Sequence, residues 1–172
     1  MIIPWKNQLI NNSNFIMKKT IQSRLVLILL CIFCFSNINA QEEKATPKDS
    51  LIKVINTYYK LNVTVFQTNS KIEDIDAVFD IFTDDFTYIH PKYGGVYSRN
   101  NLYQGYVRNQ KKGGYNGRVA DIKIINMIAG LNAVVVERSY VNKTNTGTED
   151  GEPQMTLFEF KDGKISKIFE YW

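Results

Sequence analysis

Phe82-Thr83-Asp84-Asp85-Phe86-Thr87-Tyr88-Ile89-His90-Pro91 is the stretch that decides the fold. Asp84-Asp85 marks a turn. Phe86 to His90 alternates large and small side chains with aromatic and β-branched character, and Pro91 ends it, so the segment reads as a short strand. Phe86, Tyr88 and His90 share one face. Upstream the pattern is helical. Asp49-Ser50 offers an N-cap, and Leu51, Ile52, Ile55, Tyr58, Tyr59 and Asn62 recur at helical spacing, predicting a helix over 50–66. Ser70 and Glu73 form a capping box ahead of Ile72, Ile75, Val78, Phe79 and Phe82, predicting a second helix over 70–82. Downstream, Gly94-Gly95 reads as a loop, and Ser98 caps a third helix over 99–112 that ends before Gly113-Gly114.

The remainder is strand-rich. Segments 118–127, 131–142, 152–161 and 164–172 are β-branched and aromatic with period-2 character, separated by Gly130-Leu131-Asn132, a polar loop over 144–151, and Asp162-Gly163, a hairpin dipeptide. Three helices followed by a run of antiparallel strands predict an α+β domain, its helices packed on one face of a curved sheet.

The chain has 172 residues, a formal charge of +4 and a pI near 8.9. A basic balance invites a nucleic-acid reading, but its location removes it. Residues 1–40 hold no acid and four bases, Lys6, Lys18, Lys19 and Arg24, followed by the apolar run Leu25–Phe35 and a small-residue exit at Ala40. That pattern is a secretory signal peptide, with its start at Met17 and 1–16 as an upstream extension. The apolar run is shorter than the roughly 20 residues a spanning helix needs. Cleavage after Ala40 removes Cys31 and Cys34, hence any thiol, disulfide or Cys-based metal site. It also takes four from the 21 Lys and Arg, leaving 17 against 17 Asp and Glu. The exported chain is neutral, and the electrostatic case for nucleic acid disappears. Residues 41–48 read as a flexible leader and 49–172 as the domain. Export points to the periplasm or the extracellular medium, with no membrane attachment after cleavage. Asn62-Val63-Thr64 and Asn142-Lys143-Thr144 fit the glycosylation sequon of a eukaryotic secretory pathway.

The order of these elements resembles the NTF2-like superfamily, in its SnoaL-like and ketosteroid-isomerase-like branch. The matching residues are 82–91, Gly95 before the third helix, Ala133-Val134-Val135-Val136-Glu137-Arg138, and Phe158-Glu159-Phe160-Lys161-Asp162-Gly163-Lys164-Ile165 with the closing Glu170-Tyr171-Trp172. The resemblance implies a cone: helices wrapped by a strongly curved antiparallel sheet, with a pocket at the open end and a homodimer formed through the exposed sheet face. Such pockets serve isomerases, cyclases, epoxide hydrolases and dehydratases, so the fold fixes the place of the chemistry and not the reaction.

The resemblance also suggests site residues. In ketosteroid isomerases a strand-ending Asp-Pro carries the general base, and His90-Pro91 stands there. His90 is the only histidine, and histidine is the side chain that titrates near neutral pH. The bland alternative is a histidine bonded locally at the rim. In limonene-epoxide-hydrolase-like members an Arg in Glu-Arg-x-Asp meets an acid near the chain end, with a Tyr and an Asn holding the water. Here Arg138, Glu170, Tyr88 and His90 occupy the Arg, terminal acid, Tyr and Asn positions, while Tyr140 replaces the second acid. That loss argues against epoxide hydrolysis by the same mechanism. An Arg138–Glu170 pair can still hold an anionic or carbonyl-bearing ligand, or order the wall as a structural ion pair. Tyr58, Phe158 and Trp172, with Tyr88 and Tyr140, are the expected ligand-binding residues; Tyr103, Tyr106, Phe79 and Phe86 suit ordinary core better. No metal site and no cofactor are expected. The sequence therefore supports an exported small-molecule-binding domain, with proton transfer or hydration as its chemistry and His90, Arg138 and Glu170 as its catalytic set. The alternative is a non-catalytic binding or dimerisation scaffold of the same fold.

Overall fold

The computed structural model describes residues 47–172; the expected signal peptide and most of the expected leader lie outside the described residues. Helix α1 (Pro47–Val65) begins earlier than predicted, because Pro47 suits a first helical position. Its buried face is Leu51, Ile55, Tyr58, Tyr59, Asn62 and Val65. Helix α2 (Ile72–Asp80) starts one residue later than the Ser70–Glu73 box implied. The Lys71 backbone N–H donates to Asp74 Oδ2 at 2.7 Å, so the reciprocal acid is Asp74. Helix α3 (Arg99–Lys111) is capped as expected, with the Asn101 N–H donating to Ser98 Oγ.

Strand β1 (Phe82–His90) runs through Asp84-Asp85, which is not a turn. The two carboxylates are exposed while Phe82 and Phe86 are buried on the other side, their rings stacked with centroids 4.0 Å apart. The register shift between Phe82 and Thr87 brings the two rings together; in an unbroken strand, rising about 3.3 Å per residue, side chains four apart would be too distant to stack. After a turn over Pro91–Tyr93, the expected glycine loop is strand β2 (Gly95–Ser98), paired with β1. Then come β3 (Val119–Ala129), β4 (Ala133–Thr144), β5 (Gly147–Asp150), β6 (Gln154–Lys161) and β7 (Lys164–Glu170). Strand β5 lies in the stretch expected to be a loop; its polar residues are all exposed and pair with β4.

One seven-stranded sheet results, in the order β2-β1-β7-β6-β4-β3, with β5 beside β4. Every pair is antiparallel except β1 with β7, which run parallel, so the sheet is mixed. Register shifts in β1/β7, β3/β4 and β6/β7 bend it around the helices. The inward face carries Val134, Val136, Phe158, Phe160, Ile165 and Ile168, which meet Ile55, Val65, Ile75, Val78 and Phe79 of the helices. Full burial of each such side chain contributes about 1.5–3 kcal/mol, enough to hold the bend. No helix among the described residues is long and apolar enough to cross a membrane.

Candidate functional site

Toward the ends of the central strands the inward face changes from apolar to polar. Residues two apart share a face, so the Val134–Val136 row of β4 continues into Arg138 and Tyr140. Across the sheet Val136 is level with Thr156, Thr156 with Glu170, and Arg138 with Gln154. The register itself therefore sets Arg138, Gln154, Thr156 and Glu170 side by side. Arg138, Thr156 and Glu170 are buried.

Arg138 and Glu170 line a chamber of about 80 Å³, above the roughly 10–15 Å³ that one water requires. Tyr58, Tyr59 and Asn62 of α1 and Leu102 and Tyr106 of α3 close it from the helix side; Tyr88, Tyr140 and Trp172, with Phe66 and Ile122, complete the wall. Thr156 Oγ1 and Trp172 Nε1 donate to Glu170 Oε2 at 2.6 and 2.7 Å, and Arg138 Nη2 lies 3.9 Å from the same oxygen. The three contacts converge on Oε2, which leaves Oε1 as the carboxylate oxygen without a hydrogen bond.

Arg138 is held on several sides. Its Nη1 donates to Gln154 Oε1, and its guanidinium carbon lies 4.3 Å from the centre of the Tyr140 ring and 5.7 Å from that of Trp172. Burial alone would pull its pKa down; Tyr140 and Glu170 outweigh this and raise it, so the group is a permanent cation. Burial, reinforced by Glu170, pushes the hydroxyls of Tyr58 and Tyr88 above the ordinary tyrosine value. Burial does the same for Tyr59 against the opposing pull of Arg138. All three remain O–H donors at neutral pH. Two buried atoms of the wall, Tyr59 Oη and Arg138 Nε, have no hydrogen-bond partner.

A second space, of about 540 Å³, adjoins the chamber and shares Tyr88, Leu102, Tyr140 and Trp172 with it. His90 belongs there. It is 3 % exposed, its ring centre is 4.5 Å from that of Trp172 and 4.4 Å from that of Tyr93, and neither ring nitrogen has a partner. The structure thus brings Arg138, Glu170, Tyr58, Tyr88, Tyr140 and Trp172 to one chamber and sets His90 on the outer side of Trp172.

Phe158 is not a wall residue. It is fully buried behind the chamber, edge-on to Tyr58 and Tyr59, because the Val134, Phe158 and Ile168 register places it deeper along the sheet than Thr156 and Glu170. Conversely, Tyr106, assigned to core from the sequence, lines the chamber and donates to Asn62 Oδ1 at 2.9 Å, while Asn62 Nδ2 donates to the Tyr58 carbonyl. The signal was present: Asn62 is a polar residue in the apolar stripe of a helix, which demands buried partners. Its burial and these bonds leave it no place for a glycan. Among the described residues no three His, Cys, Asp or Glu side chains gather as metal ligands do.

No family model matches the sequence, and no curated protein matches it. Solved structures do match in fold. Bal32a, from a soil-derived mobile gene cassette, has a TM-score of 0.53 at 13% identity, over 73% of this chain and 91% of its own. An LEH-like epoxide hydrolase of M. tuberculosis has a TM-score of 0.50 at 22% identity, over 72% and 83%. An NTF2-like protein of Anabaena variabilis has 0.50 at 16%, over 72% and 89%. At these identities the likeness establishes the fold, which is NTF2-like, as the sequence resemblance implied.

Proposed function

We propose that this protein is an exported small-molecule-binding domain whose chamber receives the carbonyl end of an apolar ligand and transfers a proton on it. One observation carries the reading: two donors without partners, Arg138 Nε and Tyr59 Oη, stand in the same small chamber as the unbonded Oε1 of Glu170. Donors favour an oxygen acceptor. Arg138 and Glu170 cancel each other's charge, so a neutral carbonyl suits the chamber better than an anion. Glu170 then takes a proton from the carbon beside the carbonyl. The electrons of that C–H bond pass to the carbonyl oxygen, where Arg138 and Tyr59 stabilise the enolate. Return of the proton to a different carbon, or its exchange with water, completes the cycle. Hydration would use the same carboxylate as base toward a water.

His90 stands beyond Trp172, so the acid–base work in the chamber falls to Glu170. The separation of His90 from Arg138 and Glu170 is also what favours the second reading, a non-catalytic binder. Exposed Ile128, Met155 and Tyr171 on the outer sheet face are the expected contact between two copies.

The test is a melting-temperature screen against steroids, polyketides, epoxides and small acids, followed by proton NMR of each hit in D₂O. Carbonyl-bearing ligands should raise the melting temperature, about 2.7 kcal/mol of stabilisation at a hundredfold excess over Kd. Their α-protons should exchange, and Glu170→Gln should stop the exchange. Exchange that persists in Glu170→Gln removes the catalytic reading and leaves the binder; no shift with any class removes both. Detection of a mature N-terminus at Gln41 tests export.

A further inference from the structure

The outer space has a chemistry of its own. Tyr88, Tyr93, Tyr97 and Trp172 give it aromatic walls, and no Asp or Glu lines it. Its charged lining residue is Arg108, which makes no ion pair among the described residues. Arg108 folds back over the bare backbone of Gly105: a Cβ at position 105 would stand 3.9 Å from Arg108 Nη2. In the same lining, His90 is buried with both nitrogens lacking a partner, although one of them carries a hydrogen in either tautomer. A buried donor without a partner costs free energy, about 1–3 kcal/mol, unless something occupies the site. The carboxylates of this region are kept apart: Asp76, Asp80 and Asp84 line a neighbouring cleft that meets this one at Asn100 and Gln104.

From this arrangement we infer that the ligand is a flat aromatic or conjugated carboxylic acid, its carboxylate held in the outer cleft by Arg108 and His90. This rests on the proposed reading, with the carbonyl of the same molecule seated in the chamber. The aromatic walls take a planar body by stacking, and Arg108 with a His90 N–H offers charge-assisted donors to the carboxylate. The outer cleft thereby supplies the selection that a charge-balanced chamber does not.

The probes are 6-acetyl-2-naphthoate and its methyl ester, which differ by one charge at the end away from the acetyl carbonyl, titrated calorimetrically. The acid should bind roughly five- to tenfold tighter than the ester, the gain of an anion on a solvent-facing arginine backed by a buried donor. Arg108→Gln should bring the acid to the affinity of the ester and leave the ester unchanged. Arg108 is exposed, so the variant folds. His90→Phe, with its fold checked by circular dichroism, should weaken the acid alone. Tyr59→Phe should weaken both. Equal binding of acid and ester overturns this inference and leaves the chamber reading standing. Acid binding that Arg108→Gln abolishes and Tyr59→Phe does not touch overturns the chamber reading and keeps the carboxylate site. Binding of neither probe overturns this inference, and the melting-temperature screen then decides the chamber reading.

Discussion

The Arg138–Glu170 pair allows a sharp energetic test. The two side chains are 3 % and 6 % exposed, and Nη2 and Oε2 are 3.9 Å apart. At an effective dielectric of about 20 two unit charges at this distance attract by about 4 kcal/mol. Arg138→Met leaves the carboxylate buried with only Thr156 and Trp172 as donors; Glu170→Gln keeps those two bonds and leaves the guanidinium buried against a neutral group. Each single variant should lose about 3–5 kcal/mol, the usual cost of breaking a buried pair from one side. For a domain of this size that corresponds to a fall of roughly 10–20 °C in Tm. The double variant buries no charge here, so it should be more stable than the singles' sum by about 2–4 kcal/mol. Urea unfolding of all four proteins at one pH measures the cycle. The Lys161–Asp85 pair is the control: it is shorter, 2.9 Å, but both side chains are more than half exposed, and its coupling should be too small to resolve. A coupling below about 0.5 kcal/mol for Arg138 and Glu170 would refute the reasoning, because it would mean water screens the chamber as it screens the surface.

Two further outcomes follow from the same burial. Asn62→Leu fits the apolar stripe of α1 but strands the Tyr106 hydroxyl and should destabilise by about 1–3 kcal/mol in the same urea assay; a neutral or stabilising result would show that this network does not hold the α1–α3 side of the chamber. The second concerns alkaline pH. Burial raises the folded-state pKa of Tyr58, Tyr59, Tyr88 and Tyr106 above the unfolded value near 10. Their contribution is complete below pH 10 and is lost as pH rises toward the folded values, because the unfolded chain releases protons that the native state keeps. Each contributes a slope of about 1.4 kcal/mol per pH unit. Tyrosinate absorbance near 295 nm should therefore rise in two stages, the exposed tyrosines first and these four together with unfolding. A single smooth titration near pH 10 would show the chamber to be wet.

Much of the architecture was legible in local patterns. The apolar stripe of α1, the Ser98 cap and the alternation along β4, β6 and β7 depend on neighbours three, four or two residues away, and the structure reproduces them. Local patterns failed where a distant partner decides. Asp84-Asp85 reads as a turn, yet the chain stays extended between Phe82 and Thr87, the two points at which it pairs with β7. Gly94-Gly95 and the stretch 144–151 read as loops because their residues are glycine or polar, yet Gly95–Ser98 and Gly147–Asp150 pair. They become strands because β1 and β4 offer free edges whose backbone groups need partners.

The same division runs through the site. Local pattern is enough to place the chemistry the domain carries: one histidine, an arginine in phase with the inward face of β4, a glutamate in phase with that of β7, and tyrosines on the helical stripe. Those assignments need only the periods of helix and strand. Tertiary structure alone decided which of these groups share a space. The β6/β7 register sets Thr156 against Glu170, and Trp172 stands between chamber and cleft, dividing His90 from the Arg138–Glu170 pair. It also turned Asn62 and Tyr106 from core filler into wall. The physical reason is that a face is set by the residue's own strand or helix, whereas a contact is set by register and bend between segments far apart in the chain.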